Sequence, residues 1–434
     1  MSLAIIGITG ILALLFILFF LGMPVGFSMA IVGFAGFCHV ISVPAGMNMA
    51  GSVFWSVCSK YGLTVIPLFI FMGQIAFYSG VNERLYKSAH AWVGHIRGGL
   101  AMATVMACSA FAAICGSNTA TAATMSTVAL PEMKKYGYAP GLSTGAIACG
   151  STLGVVIPPS VVLIIIGLAT EQSIAKLFYG GIGAGLLLTL LLTLSISMIC
   201  RIRPEWGPVV AKRSLKDRIH SLSGGAEMLI LFLLIMIGLY SGFFTPAEAG
   251  AAGSFFALVI SIVRRTLSFK NFIKAIKDTL RISCMVIMLV AGAMIFGRFL
   301  AITRIPFDLA DFVAGLNLSD GLIMLIISLI YIAGGAIMDA LALLLITIPI
   351  FFPLAVQMGY DPVWFAVTIT VITTLGAVTP PVGATTFVVA SVASDVPMKE
   401  VFKGVSLFLP AYIVTIMLLI LFPGIVTWLP GLLH

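Results

Sequence analysis

Charge is what this 434-residue sequence has least of: Asp, Glu, Lys and Arg make up 9% of it, against 61% hydrophobic residues and a mean hydropathy of +1.18. So little charge cannot cover a water-soluble globule, and the composition leaves a polytopic membrane protein. Five histidines form no HExxH or comparable cluster, so metal catalysis has no motif to rest on. The seven cysteines, at 38, 58, 108, 115, 149, 200 and 284, are scattered and odd in number, which argues against a disulfide framework or metal-ligand spacing. No GxxxxGK[ST] phosphate loop occurs, so direct ATP drive by this chain has no support. The net charge of +8 comes from basic residues gathered in a few loops. That is the pattern of membrane orientation rather than of a nucleic-acid partner, and membrane lipids are the expected surroundings.

What is present is length and repetition. Apolar stretches near 20 residues, enough for a hydrocarbon core of roughly 30 Å, run at about 3 to 22, 25 to 42, 63 to 80, 178 to 200, 226 to 243, 247 to 263, 283 to 300 and 405 to 428. The first has no basic n-region and reads as a retained helix rather than a signal peptide. Thr152-Leu153-Gly154-Val155-Val156-Ile157-Pro158-Pro159 reappears 222 residues later as Thr374-Leu375-Gly376-Ala377-Val378-Thr379-Pro380-Pro381. The same offset carries Gly137-Tyr138-Ala139-Pro140 onto Gly359-Tyr360-Asp361-Pro362, Pro131 onto Pro353 and Pro24 onto Pro246. A constant offset without a gap implies two homologous halves, residues 1–212 and 223–434, with 213–222 belonging to the linker between them.

Loop charge gives the hand of the repeat. The connector 80–98 holds Arg84, Lys87 and Arg97 against Glu83, whereas its counterpart 302–320 holds Arg304 against Asp308, Asp311 and Asp320. The stretch 264–281 is strongly basic, and its counterpart 42–59 reads as an uncharged loop. Lys/Arg excess marks the cytoplasmic side, so equivalent loops lie on opposite faces and the repeat is inverted. The basic linker 201–224, which includes Arg201, Arg203, Lys212 and Arg213, is then cytoplasmic, and both chain ends lie outside. Two readings of 80–98 stay open, an amphipathic helix at the interface or a plain loop.

Two regions in each half do not fit a simple span. Residues 99–132 are too long for one crossing and are interrupted by Cys115-Gly116-Ser117-Asn118-Thr119-Ala120-Thr121, with flanks of like charge; a re-entrant hairpin fits, and 321–352 is its counterpart, with Gly334, Gly335 and Asp339 near the turn. The segments 141–170 and 363–392 are each broken by a Pro-Pro pair. Proline removes an amide donor, so the helix is expected to unwind before it, with Gly154 and Gly376 in the unwound stretch. Backbone carbonyls there (Gly154, Val156, Ile157, Gly376, Val378 and the Thr379 group) suit a hard cation such as sodium, helped by Ser117, Asn118 and Asp339. Tip hydroxyls and half-helix N-termini suit an anionic substrate, which gives Ser117, Asn118, Thr119, Ser160 and Asp339 as candidate contacts. Small residues and prolines at such places also serve close packing alone. Asp339 falls opposite Ser117 in the repeat, and either a functional acid or a structural partner for a helix N-terminus accounts for it. Arg298 is open between snorkelling and contact with a substrate anion. Glu248, after Thr245-Pro246-Ala247, reads as a first-turn helix acid.

The run from Cys115-Gly116-Ser117-Asn118-Thr119 through Pro131-Glu132-Met133 to Gly154-Val155-Val156-Ile157-Pro158-Pro159-Ser160 resembles the large membrane subunit of tripartite ATP-independent periplasmic (TRAP) transporters. Phe244-Thr245-Pro246-Ala247-Glu248-Ala249 and Thr379-Pro380-Pro381-Val382-Gly383 do so too, while Cys115 stands where the family pattern has serine. The resemblance implies an all-α, inverted-repeat carrier of the bacterial inner membrane with an elevator-type, ion-transporter-like fold. It further implies no cofactor but Na+ as coupling ion, a small four-helix membrane subunit, a periplasmic substrate-binding protein and an organic acid as substrate. A binding-protein-independent di- or tricarboxylate carrier, and in another class a channel or a membrane-embedded enzyme, are the competing readings. Neither a continuous polar pore nor paired catalytic acids and histidines are visible for the latter two.

Overall fold

The computed structural model describes residues 3–210, 214–222, 226–315 and 319–432. Lys212 and Arg213 of the linker, and the ends of the two halves at 212 and 223, lie outside the described residues. Among those described, the regular structure is entirely helical, and seven helices or helix pairs are long and apolar enough to cross a membrane, eight if a pair bent by 41° (Met398–Ser406 with Leu409–Leu421) is one span.

The 222-residue offset holds in the backbone. Pro140 and Pro362 each open a helix, where a missing amide costs nothing. Gly137 and Gly359 precede them with φ of 74° and 81°, a left-handed turn that favours glycine. Packing between the halves is reciprocal: Val25–Val40 lies on Phe269–Ile302, and Pro246–Val263, its counterpart, lies on Val65–Tyr78. Such a swap of partners is what a two-fold relation between halves produces. The approach is close, since a Cβ on Gly33 would stand 2.7 Å from the Phe296 Cα.

Several boundaries differ from the sequence reading. Residues 42–59 are the helix Val43–Ser59, not a loop; Ser42 caps it and Met49, Val53 and Val57 form one buried stripe. Lack of charge there marked an apolar helix, not a short connector. Its basic counterpart is also helical, because Phe269–Ile302 runs unbroken for 34 residues with Lys270, Lys274, Lys277 and Arg281 exposed along its first half. The connector 80–98 contains the helix Val81–Val93, whose Val81, Leu85 and Tyr86 are buried as it packs on Gly99–Cys115. Residues 405–428 are not one helix: Leu409–Leu421 ends before Pro423, and Gly424–Gly431 follows. Thr245 and Glu248 form a capping box, the structural role read for Glu248.

Candidate functional site

The first hairpin is Gly99–Cys115 followed by Asn118–Lys135, turning through Gly116 at φ +62°. Ser117 caps the second arm: its Oγ accepts from the Ala120 amide at 3.4 Å and lies 3.2 Å from the Thr119 Oγ1. The Asn118 side chain is buried; its Oδ1 accepts from the Thr119 amide, and its Nδ2 donates to Thr385 Oγ1 at 3.3 Å, in the other half of the chain. The second hairpin is Asp320–Gly335 followed by Ala340–Gln357, and Asp339 caps its second arm by accepting from the Leu341 amide at 3.0 Å. Ser117 and Asp339 therefore hold the same place in the two tips, as the offset requires. Asp339 is exposed and Thr119 half-buried.

The first broken helix is Pro140–Ser151, Leu153–Val156 and, past the prolines, Val161–Thr170; the second is Pro362–Val378 and Ala384–Val392. Unwinding before the prolines was expected to include Gly154 and Gly376, yet both lie in helical turns, and the chain leaves the helix only after Val156 and Val378. The reason is local resupply of the lost donors. The Thr379 amide and Oγ1 both donate to the Gly376 carbonyl, at 2.9 and 3.0 Å. Thr386 Oγ1 donates to the Val378 carbonyl at 2.9 Å, and Ser160 Oγ to that of Val155 at 2.7 Å. The Val378 and Val155 carbonyls each keep a second lone pair for another partner, whereas that of Gly376 already accepts two donors.

What the two glycines provide is access. A Cβ on Gly154 would stand 2.7 Å from the Ser117 carbonyl oxygen, and one on Gly376 2.7 Å from the Gly335 Cα. Each broken helix thus seats the tip of its own half's hairpin. Across the halves, Asn118–Lys135 packs against Ala384–Val392, and Ala340–Gln357 against Val161–Thr170. The Val382 and Gly383 amides donate to the Ala336 carbonyl at 3.0 Å, three residues before Asp339. Ser117, Asn118 and Gly154 are thereby joined to Thr385, and Gly376 and Thr379 to the second tip. Val156 turns its carbonyl toward Gly181, where a Cβ would come within 2.5 Å, and the Ile157 side chain faces Gly185. Ser160 is fully buried as the cap of Val161–Thr170, with the Leu163 amide on its Oγ. Arg298 is not brought into this cluster: it is exposed on Phe269–Ile302, beside Gly297, which faces Pro349. Thr385 and Thr386 went unread in the sequence, although two adjacent hydroxyls directly after a proline break were a legible sign.

Polar tips seated on proline-broken helices, twice and reciprocally, are the features on which comparison with known proteins turns. Residues 12–425 match the family described as "Tripartite ATP-independent periplasmic transporter, DctM component". The chain belongs to this family. It is 35% identical over 372 residues to the C4-dicarboxylate TRAP transporter large permease protein DctM of Pseudomonas aeruginosa, covering 86% of this chain and 85% of that one. To the sialic acid TRAP transporter large permease protein SiaM of Vibrio cholerae it is 32% identical, over 96% of both chains. The crystal structure of the Alcanivorax borkumensis YdaH transporter, described as having an unusual topology, shares the fold with a TM-score of 0.62 at 16% identity, covering 89% of this chain and 87% of that one. The TRAP large permease described here is thus a transporter and not an enzyme, a multi-pass protein of the inner membrane. Its family works by secondary transport together with a periplasmic binding protein and a small membrane subunit.

Proposed function

We propose that this TRAP permease carries out sodium-coupled uptake of an organic acid anion by an elevator movement of the hairpins and broken helices, receiving the anion from a periplasmic binding protein and working with a four-helix membrane subunit. The observation that carries the reading is the seating of two polar hairpin tips against Gly154 and Gly376, bridged between halves by Asn118 and Thr385. Carbonyls, hydroxyls and one carboxylate in such a place supply the hard oxygen ligands that an alkali cation requires. Ser117, Asn118, Asp339, Thr379 and the carbonyls around Gly154 and Gly376 are the residues we would place at sodium. Ser117, Asn118 and Thr119 are those we would place at the anion's carboxylate. The C4-dicarboxylate and sialic acid named for the two relatives make those acids the first substrates to try. The hairpins, in this reading, enter the membrane from opposite faces and return.

Proteoliposomes holding the permease, its small subunit and its binding protein test the proposal. Uptake should require an inward sodium gradient and rise cooperatively with external sodium. Asp339→Asn should shift the sodium dependence and leave substrate affinity nearly unchanged, if the acid serves the ion. Undiminished uptake in sodium-free buffer under a proton gradient would overturn the coupling, and full high-affinity uptake by the permease alone would overturn the dependence on partners.

A further inference from the structure

A cavity of about 560 Å³ lies away from the hairpin tips, between the end of Ile174–Ile202, the start of Pro140–Ser151 and the short helix Met398–Ser406. Arg203, Lys399 and Lys403 line it together with one acid, Glu400. Among the described residues the ion pairs are Lys87 with Glu83, Lys134 with Asp395 and Arg264 with Glu227, so these three cations converge on a cavity without a carboxylate partner. The wall is built rather than loose. The Arg203 guanidinium stacks over Trp206 at 4.4 Å, and the Trp206 carbonyl accepts from the Ala139 amide at 3.0 Å. Next to it, the Gly207 carbonyl accepts from the Gly98 amide at 2.9 Å.

The repeat supplies an internal control. The residues 222 positions from Arg203, Lys399 and Lys403 are Ile425, Leu177 and Gly181, so none of the three cations has a charged equivalent, and the exposed Lys176 beside Leu177 is a single cation there. Helix ends differ in the same sense. At the counterpart, Asp361 caps the helix that begins at Pro362 and Ser173 caps Ile174–Ile202, whereas Ala139 and Pro397, beside the cavity, offer no side-chain cap. The uncapped amides add to the positive potential at the cavity.

We infer that this cavity is a binding site for an oxyanion of the phosphate or carboxylate type, held by Arg203, Lys399 and Lys403. Two sources share that chemistry. One is the headgroup of an anionic phospholipid, suited to a Trp and cations at the end of a 29-residue apolar helix. The other is a free anion in the aqueous phase.

The test uses the whole permease in phosphatidylcholine nanodiscs, with native mass spectrometry reading the binding of added phosphatidylglycerol and, in a separate arm, inorganic phosphate. Lys399→Gln with Lys403→Gln should weaken binding by roughly tenfold or more, and Arg203→Gln alone should weaken it measurably. Lys274→Gln with Lys277→Gln, equally exposed but outside the cavity, should leave it unchanged. Loss confined to the lipid arm identifies a headgroup; loss in the phosphate arm, or competition by phosphate against the lipid, identifies a free anion. Equal binding to the parent and the cavity variants in both arms, or an equal loss in the control pair, overturns the site. If the double variant does not fold, Arg203→Gln alone decides.

Discussion

At the scale of single residues, the site depends on two missing side chains. A methyl group on Gly154 or Gly376 has no room, because its neighbours are backbone atoms of Ser117 and Gly335 rather than flexible side-chain ends. The hairpin tip must lift away, at a cost of about 1–3 kcal/mol for such overpacking. Gly154→Ala and Gly376→Ala should therefore depress sodium-driven uptake at least tenfold while the protein still reaches the membrane, measured as initial rate per quantity of folded protein. Unchanged rates in both would remove the tips from the transport cycle. The Asn118–Thr385 hydrogen bond is the complementary case, since both partners are buried and come from different halves. A double-mutant cycle on thermal stability, Asn118→Ala against Thr385→Ala, should give a coupling of about 1 kcal/mol, and additive losses would mean that the bond is not formed in solution.

At the scale of elements, the two broken helices differ, and the difference yields a prediction. Pro362–Val378 is continuous, whereas the first-half equivalent is interrupted at Thr152, two residues before Gly154. There Thr152 Oγ1 and the Tyr412 hydroxyl lie 2.5 Å apart, and both reach the Cys149 carbonyl, at 2.7 and 3.0 Å. Tyr412 is fully buried, and its hydroxyl holds the interrupted turn two residues before Gly154, which abuts Ser117. Tyr412→Phe keeps the ring and removes the hydroxyl, so thermal stability should fall by only about 1 kcal/mol while the sodium concentration for half-maximal uptake rises. A change in maximal rate alone would assign Tyr412 a purely structural role. A second element-scale contact joins the base of the first hairpin to the loop after Ala384–Val392, where the Lys134 ammonium bonds Asp395 and holds its carboxyl below the usual aspartate range. A depressed folded-state pKa stabilises above the unfolded value and is lost as pH falls through the folded one, so the pair stays intact at neutral pH. Being exposed, it contributes little, and Lys134→Gln should leave uptake between about pH 6 and about pH 8 within twofold of the parent.

How far these elements could be read beforehand follows from what each leaves in the sequence. Tip residues, proline breaks and the pairing of Ser117 with Asp339 are carried by residue type and a constant offset, and they stand at equivalent caps in the structure. The helix Val43–Ser59 was missed because its apolar stripe is narrow and uncharged, which in a chain this hydrophobic looks like any connector. Helical turns at Gly154 and Gly376 were missed for another reason: the donors that replace the prolines come from Thr379, Ser160 and Thr386 side chains, whose rotamers no sequence pattern states. Arg298 drew attention as an intramembrane charge, and only the folded chain shows that it lies exposed on Phe269–Ile302 rather than buried among the tips.

At the scale of the whole molecule, the open matter is whether one part slides against another. The second hairpin meets Phe269–Ile302 where Gly297 faces Pro349, and a Cβ on Gly297 would lie 3.9 Å from the Pro349 Cβ. That separation is within the about 3.5–4.5 Å range that a disulfide spans. Phe269–Ile302 is also bound to Val25–Val40 by backbone-close contacts, which suits a static frame, whereas the hairpin is bound chiefly to the broken helices. An elevator must therefore shear the Gly297–Pro349 contact in every cycle. In a background with the exposed Cys58 and Cys284 replaced, Gly297→Cys with Pro349→Cys should form a disulfide on oxidation, verified by peptide mass spectrometry. Sodium-driven uptake should then stop and return on reduction, while each single variant transports in both conditions. If the crosslinked permease transports at the rate of its reduced form, the hairpin and this helix move as one body, and substrate crosses by local opening of the tips instead.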